Sequence, residues 1–419
     1  MKKSWEVLLF GMFVIAAFAF PVQAQEKEPI KIGAVYTFTG AMAFLNEGIV
    51  DGHMLAIDEI NKSGGLFGRK IEIIKRDDAG KADLATRYSR ELIMREKVDF
   101  IVGGYGTIQA MALSAVARDF KKPIFIFGGH STRVTTEDWS PYHFRYAITT
   151  SAEGKTLAKI IAEEYLKGIS DPKVYYETWD FEFGRDVHRY FIPSIKEYVP
   201  NVKLYEGWPR VGETDYSPYI AQILAYKPHV LAHVIFAGGA VANLKQCAQM
   251  GVFKNTKMAS ACVVASNEYR EVLKDAIPLG SWSWCYDDES YPGNEEQKEF
   301  YERYRKWKGT TKRVVPSHVW PAYNMIKLWE AAARKAGTIE SEAVCKAMEG
   351  IKIDTYNGPV WIRDFDHQVV SGHIWGPLVK KPGSDEIILD PEKTRYVPVE
   401  PYLFTKEEWH AARKAAGIE

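Results

Sequence analysis

His130 and Ser131 stand side by side after an apolar run, and a histidine base beside a serine is the pairing that acyl-transfer chemistry uses. Adjacent side chains rarely face one another, however, and no G-x-S-x-G elbow surrounds this serine. Val102-Gly103-Gly104-Tyr105-Gly106-Thr107 is glycine-rich like a phosphate cradle, but it has neither G-x-G-x-x-G nor G-x-x-x-x-G-K-[ST]. Glycines at such a point let a ligand approach the backbone, which is binding chemistry. The cysteines, Cys247, Cys262, Cys285 and Cys345, fit no zinc spacing. An even count in an exported chain permits disulfides, with Cys262 and Cys285 the first pair to test; small buried thiols are the other reading. The expectation is a binding protein, not an enzyme, with no metal and no cofactor.

The elements that would position these residues alternate along the chain. Residues 30–36 (IKIGAVY) form a short β-branched run, read as a buried strand. Thr37-Phe38-Thr39-Gly40 breaks the pattern, and a helix is expected from Gly48, with Ile49, Leu55, Ala56, Ile57 and Ile60 as its apolar stripe. Glycines 64 and 65 end it, and a strand follows at 70–76. Strand and helix then alternate to Phe127, and the alternation restarts from Ser151 through residue 250. Such alternation predicts α/β architecture with parallel sheets, in two lobes of similar build. Ligands of these sheets sit beyond the carboxyl ends of the strands. That rule nominates Thr39 to Leu45, Tyr105 to Thr107, His130 to Thr132, Trp179 to Phe183 and Phe236 to Gly238.

The wording of residues 30–78 is also specific. Thr39-Gly40, Ala56-Ile57-Asp58-Glu59-Ile60-Asn61, Gly64-Gly65, and Gly68 through Asp77-Asp78 follow one another in a fixed order. Gly212-Glu213-Thr214-Asp215-Tyr216-Ser217, His318-Val319-Trp320-Pro321-Ala322-Tyr323 and Gly358-Pro359-Val360 continue the series. The chain resembles the type I periplasmic solute-binding proteins of the branched-chain amino acid class, which serve ABC importers. The resemblance implies two Rossmann-like lobes joined by three hinge crossovers, a small organic solute in the cleft, and delivery to ABC permease subunits by a monomer. It places hydroxyls that hold a ligand carboxylate at Thr107 and Thr132, with Gly106 and Ser131 beside them. Aromatic walls fall at Phe183 and Phe236, Trp179 lies next to them, and Phe44, Tyr105 and His318 line the side-chain end. Thr107 and Thr132 also suit helix caps, Phe236 a core ring, and His130 and His318 a surface or satisfied core.

Amino-acid-binding members hold the α-ammonium with acidic side chains, and Ala261 falls where one glutamate would be. The ligand expected is therefore a carboxylate or amide, possibly aromatic, without a free ammonium, unless Glu177, Asp180 or Glu268 reaches the cleft. A ligand sensor of the same fold is the alternative from another class, and a secreted hydrolase a third.

Charge is balanced at 54 basic and 54 acidic residues, which implies no polyanion or nucleic-acid partner. Met1-Lys2-Lys3, the uncharged run 7–20 and Pro21-Val22-Gln23-Ala24 have the grammar of a signal peptide cleaved after Ala24, which places the chain in the periplasm. An uncleaved anchor is the competing reading, but the run is shorter than the roughly 20 residues of a spanning helix. The expected division is a signal peptide at 1–24, lobe 1 at 29–147 plus 285–356, lobe 2 at 148–284 plus 357–390, and a surface tail at 391–419.

Overall fold

The computed structural model describes residues 27–418 except 313; the expected signal peptide lies outside the described residues. In the first lobe, strands β1 (Ile30–Tyr36), β2 (Ile71–Asp77), β3 (Phe100–Gly103), β4 (Ile124–Ile126) and β5 (His143–Arg145) alternate with helices α1 (Ala43–Lys62), α2 (Ala82–Met94) and α3 (Thr107–Phe120). The strands pair in parallel, in the order β2-β1-β3-β4-β5. Successive side chains point to opposite faces. Ile32, Ala34, Phe100 and Val102 join the core under α1, while Val35, Ile101 and Ile124 join Leu92 and Leu113 on the other face. Helix α1 begins at Ala43, five residues before the expected Gly48. The loop before it is pinned by the acidic pair at the end of β2: Thr37 Oγ1 donates to Asp78 Oδ1 at 2.6 Å and Thr39 Oγ1 to Asp77 Oδ2 at 2.7 Å.

The second lobe runs α4 (Thr150–Ile161), β6 (Lys173–Glu177), α5 (Glu182–Tyr198), β7 (Lys203–Gly207), α6 (Ser217–Tyr226), β8 (Val230–His233), α7 (Ala237–Gln249), β9 (Lys257–Ser260), α8 (Asn267–Leu273) and β10 (Trp282–Cys285). The chain then returns to pack α9 (Glu295–Lys308) and α10 (Val319–Ala336) against α1, with α11 (Ser341–Met348) on α10. Strands β11 (Lys352–Ile353), β12 (Val360–Ile362) and β13 (Val369–Val370) form a small antiparallel sheet. Finally β14 (Gly372–Lys380), β15 (Ile387–Leu389) and β16 (Arg395–Pro398) extend the second sheet, ordered β15-β14-β10-β9-β8-β6-β7 with β16 also on β14. The chain thus passes between the two sheets after β5, after β10 and before β14.

Two expected boundaries move. The return to lobe 2 comes after Val370 and not at 357, because Gly358-Pro359 is a turn inside the small sheet, with Gly358 N donating to Thr355 O at 2.9 Å. Residues 391–419 are more than a surface tail. β16 pairs with β14, and helix α12 (Lys406–Ala415) buries Trp409, whose Nε1 donates to Thr135 O at 2.5 Å. Pro and charge dominate that stretch, and its few apolar residues suffice because Trp409 packs edge to face on Trp139 and Phe365 while β16 is held by its backbone. All four cysteines are buried free thiols, Cys262 and Cys285 included.

Glu177, at the end of β6, is fully buried; its Oε2 accepts from Asn243 Nδ2 at 3.2 Å and its Oε1 has no partner. Burial lifts its pKa to about 7, with the Asn243 hydrogen bond pulling the other way. The folded state therefore binds this proton more tightly than the unfolded chain. The resulting stability is fully present below about pH 4.5 and is lost as pH rises through about 7. Urea melts of Glu177→Gln against the natural chain are expected to shift in favour of the variant between pH 5 and 8, by up to about 1.4 kcal/mol per pH unit. A difference that stays constant across that range would show that Glu177 is not protonated in the fold.

Candidate ligand-binding site

Between the lobes lies a cavity walled by Tyr105, Gly106, Thr107, His130, Glu153, Phe183, Phe236, Cys262, Val263 and Trp284. It leaves about 40 Å³ for the centres of water-sized bodies. At about 10–15 Å³ per water, that is room for a few waters, so a larger ligand requires the lobes to part around it. A larger open groove of about 590 Å³ runs between α9 and α10, but Lys327 and Arg334 in its wall are already paired with Glu330.

Lobe 1 contributes the end of β3 and the start of α3. Helix α3 begins at Thr107 without a side-chain cap, so its first-turn amides are left to the cavity end, and the buried Thr107 hydroxyl has no partner among the described residues. Gly128 lets the next loop lie on this one, since a Cβ there would sit 1.9 Å from Tyr105 O. Tyr105 stacks on Phe127 and its hydroxyl lies 3.4 Å from His318 Nε2. Lobe 2 contributes rings: Phe183 and Phe236 meet edge to face at 5.5 Å, and His130 of lobe 1 meets Phe183 the same way at 5.9 Å. Glu153, on α4, holds His130 Nδ1 at 2.9 Å. Burial raises the Glu153 pKa and the imidazole partly offsets it.

Five expected contacts lie one layer back or elsewhere. His318 is fully buried behind Tyr105, its Nδ1 2.6 Å from Glu268 Oε1. Burial would raise Glu268, but His318, together with hydrogen bonds from the Glu268 amide and Ser266, holds that carboxyl below its ordinary value. Trp179 backs Phe236 at 5.3 Å and donates its Nε1 to Tyr216 Oη at 3.0 Å. Phe44 packs edge-on against Tyr269. Thr132 is engaged with Asp186: its N–H donates to Asp186 Oδ2 at 2.8 Å and its hydroxyl pairs with Thr150 Oγ1 at 2.9 Å. Ser131 Oγ reaches Glu182 Oε1 at 3.1 Å and Asp186 Oδ2 at 3.2 Å, not His130, so no nucleophile–base pair forms. These two residues latch one lobe to the other. A second latch is the hydrogen bond from Gly238 N, on α7, to Ala41 O before α1, at 3.1 Å.

A sequence model of the family described as periplasmic binding protein matches residues 29–375. The chain belongs to that family. The Leu/Ile/Val-binding protein homolog 7 of Brucella suis is 27% identical over 379 residues, covering 84% of this chain and 90% of the relative. A periplasmic binding protein from Burkholderia mallei superposes with a TM-score of 0.76 at 22% identity, over 91% of this chain and 97% of its own. The solute-binding protein of an ABC transporter from Rhodopseudomonas palustris, in complex with 3,4-dihydroxybenzoic acid, superposes at 0.75 and 24% identity, over 88% and 98%. Among the described residues, no helix of this family member is long and apolar enough to cross a membrane, and no cluster of three His, Cys, Asp or Glu could hold a metal.

For this binding protein, sequence reasoning missed Glu153, Cys262, Val263 and Trp284. Glu153 stands in the first turn of α4, where an acid also suits the helix dipole, so its residue type by itself gives no signal of a place in the cavity wall. The period-2 spacing of Trp282 and Trp284 was a usable signal, since residues two apart on a strand share one face and two large rings there mark that face as covered. Glu177, Asp180 and Glu268 do not line the cavity; Glu153 does, so the cleft is not without an acid.

Proposed function

We propose that the chain captures a small aromatic carboxylate between its lobes and, as a monomer in the periplasm, hands it to the permease of an ABC importer without altering it chemically. The observation that carries this is the aromatic wall of Tyr105, Phe183, Phe236 and Trp284 meeting the start of α3 with an unpaired Thr107 hydroxyl. Rings suit a flat apolar body, and uncapped helix amides with a hydroxyl suit its carboxylate. An ammonium fits less well: it has three N–H donors, and among the side chains of the wall only Glu153 Oε2 is a free carboxylate oxygen. The relative named for leucine, isoleucine and valine and the neighbour holding 3,4-dihydroxybenzoic acid mark the two ligand classes to separate.

The test is calorimetry and thermal melting of refolded, ligand-stripped protein with benzoate, the hydroxybenzoates and leucine. A bound aromatic acid is expected to stabilise the protein by about 2.7 kcal/mol at a hundredfold excess over Kd, and to contract the radius of gyration as the lobes close. Submicromolar leucine binding with no response to any benzoate would overturn the ligand class.

A further inference from the structure

Glu153 is the acid of the cavity wall with an atom to spare. Its side chain is 1% exposed, Oε1 accepts from His130 Nδ1 at 2.9 Å, and Oε2 has no partner. As a first-turn acid of α4 it could have served that helix's own amides, but the amide of Ala152 goes to Thr149 Oγ1 at 3.1 Å and Oε2 meets none. The surrounding wall offers little to satisfy it. Trp284 Nε1 is spent on Ala261 O at 2.5 Å, the Tyr105 hydroxyl lies by His318, the Thr107 hydroxyl makes no hydrogen bond to it, and the Cys262 thiol is a weak donor. A buried carboxylate oxygen without a donor is costly, and a built site that leaves one is complementary to a molecule that brings the donor.

We infer that Glu153 Oε2 receives a hydrogen bond from a hydroxyl of the ligand, so that the cavity selects ring-hydroxylated aromatic acids over unsubstituted ones. The inference rests on the aromatic-carboxylate reading above and adds a specificity residue to it. His130 fixes the carboxylate by holding Oε1, which leaves Oε2 in one set position within the wall. The donor is a neutral hydroxyl because the imidazole already shares the Glu153 carboxylate, leaving one acceptor and not the several an ammonium needs.

Calorimetry with benzoate and with 2-, 3- and 4-hydroxybenzoate tests this on the natural protein, Glu153→Gln and Glu153→Leu. The natural protein is expected to bind its best hydroxybenzoate isomer at least about tenfold more tightly than benzoate, as a charge-assisted hydrogen bond would give. Glu153→Leu is expected to bring the two acids to near equality, and Glu153→Gln to shrink the gap while keeping an oxygen for His130. Glu153→Gln carries the test should the leucine variant fail to fold. Equal affinities in the natural protein, or a gap that both substitutions leave intact, would overturn the inference and leave the aromatic-acid site standing. Failure of every one of these acids to bind the natural protein would remove the underlying reading, and the inference with it.

Discussion

Gly238→Leu is expected to weaken ligand binding by at least about a hundredfold, or about 2.7 kcal/mol, while the ligand-free protein melts as before. Gly238 opens α7 on one lobe, and its amide donates to Ala41 O on the other. A bare Cβ there would already lie 3.0 Å from Ala41 Cβ and 3.4 Å from Ala41 O, and the rest of a leucine side chain has no room once the lobes meet. Gly238 is absent from the glycines with positive φ, so the substitution strains contact between lobes and not the backbone. The open state is untouched; the closed one is lost, and affinity falls by the factor that closure had supplied. Unchanged affinity, with the scattering contraction intact, would mean the lobes close without bringing Ala41 onto Gly238.

Arg145→Met is expected to destabilise the fold by about 3–5 kcal/mol. The guanidinium is fully buried, yet only part of its charge is met by a carboxylate field from Asp366, Asp186 and Glu153, and burial pulls its pKa down to about 10. It donates to Gln368 Oε1 at 2.7 Å, Gly129 O at 2.8 Å, Ser131 O at 2.7 Å and Thr135 Oγ1 at 3.1 Å. Methionine fills much of the volume and supplies none of these donors, so several buried acceptors are stranded together. Gln368 in turn donates to Ala147 O at 2.8 Å, which ties the first passage between lobes to the third. Urea melts giving a loss below about 1 kcal/mol would show that water replaces the guanidinium without penalty.

Most of the architecture was legible because strand–helix alternation is a local signal, and strand ends follow from it. Tyr105, Gly106, Thr107, His130, Phe183 and Phe236 all lie at such ends, and all line the cavity. What local pattern could not supply was the registry of one lobe on the other. Glu153 sits inside a helix and Trp284 inside a strand, and each reaches the cavity only because the lobes meet at a particular angle. The same registry takes Thr132 away from a ligand, since Asp186 arrives from the opposite lobe to claim its amide. His318 and Trp179 were placed near the right ring but one layer too close, because spacing does not show which of two touching rings is in front.

The carboxyl-terminal stretch limits how the molecule can move. β16 is stitched to β14 in the second sheet, while α12, a few residues on, grips the first lobe through Trp409 Nε1 on Thr135 O and Arg413 Nη1 on Thr136 O at 2.8 Å. Between them Ser151 Oγ donates to Tyr402 O at 3.3 Å and Arg363 Nη1 to Phe404 O at 2.7 Å, so there is almost no slack in this leash. Three crossing strands alone would allow the jaws to swing and also to twist. A fourth tether anchored at both ends leaves only those rotations whose axis passes close to residues 399–405, making the motion of the jaws nearly that of a door on a fixed jamb.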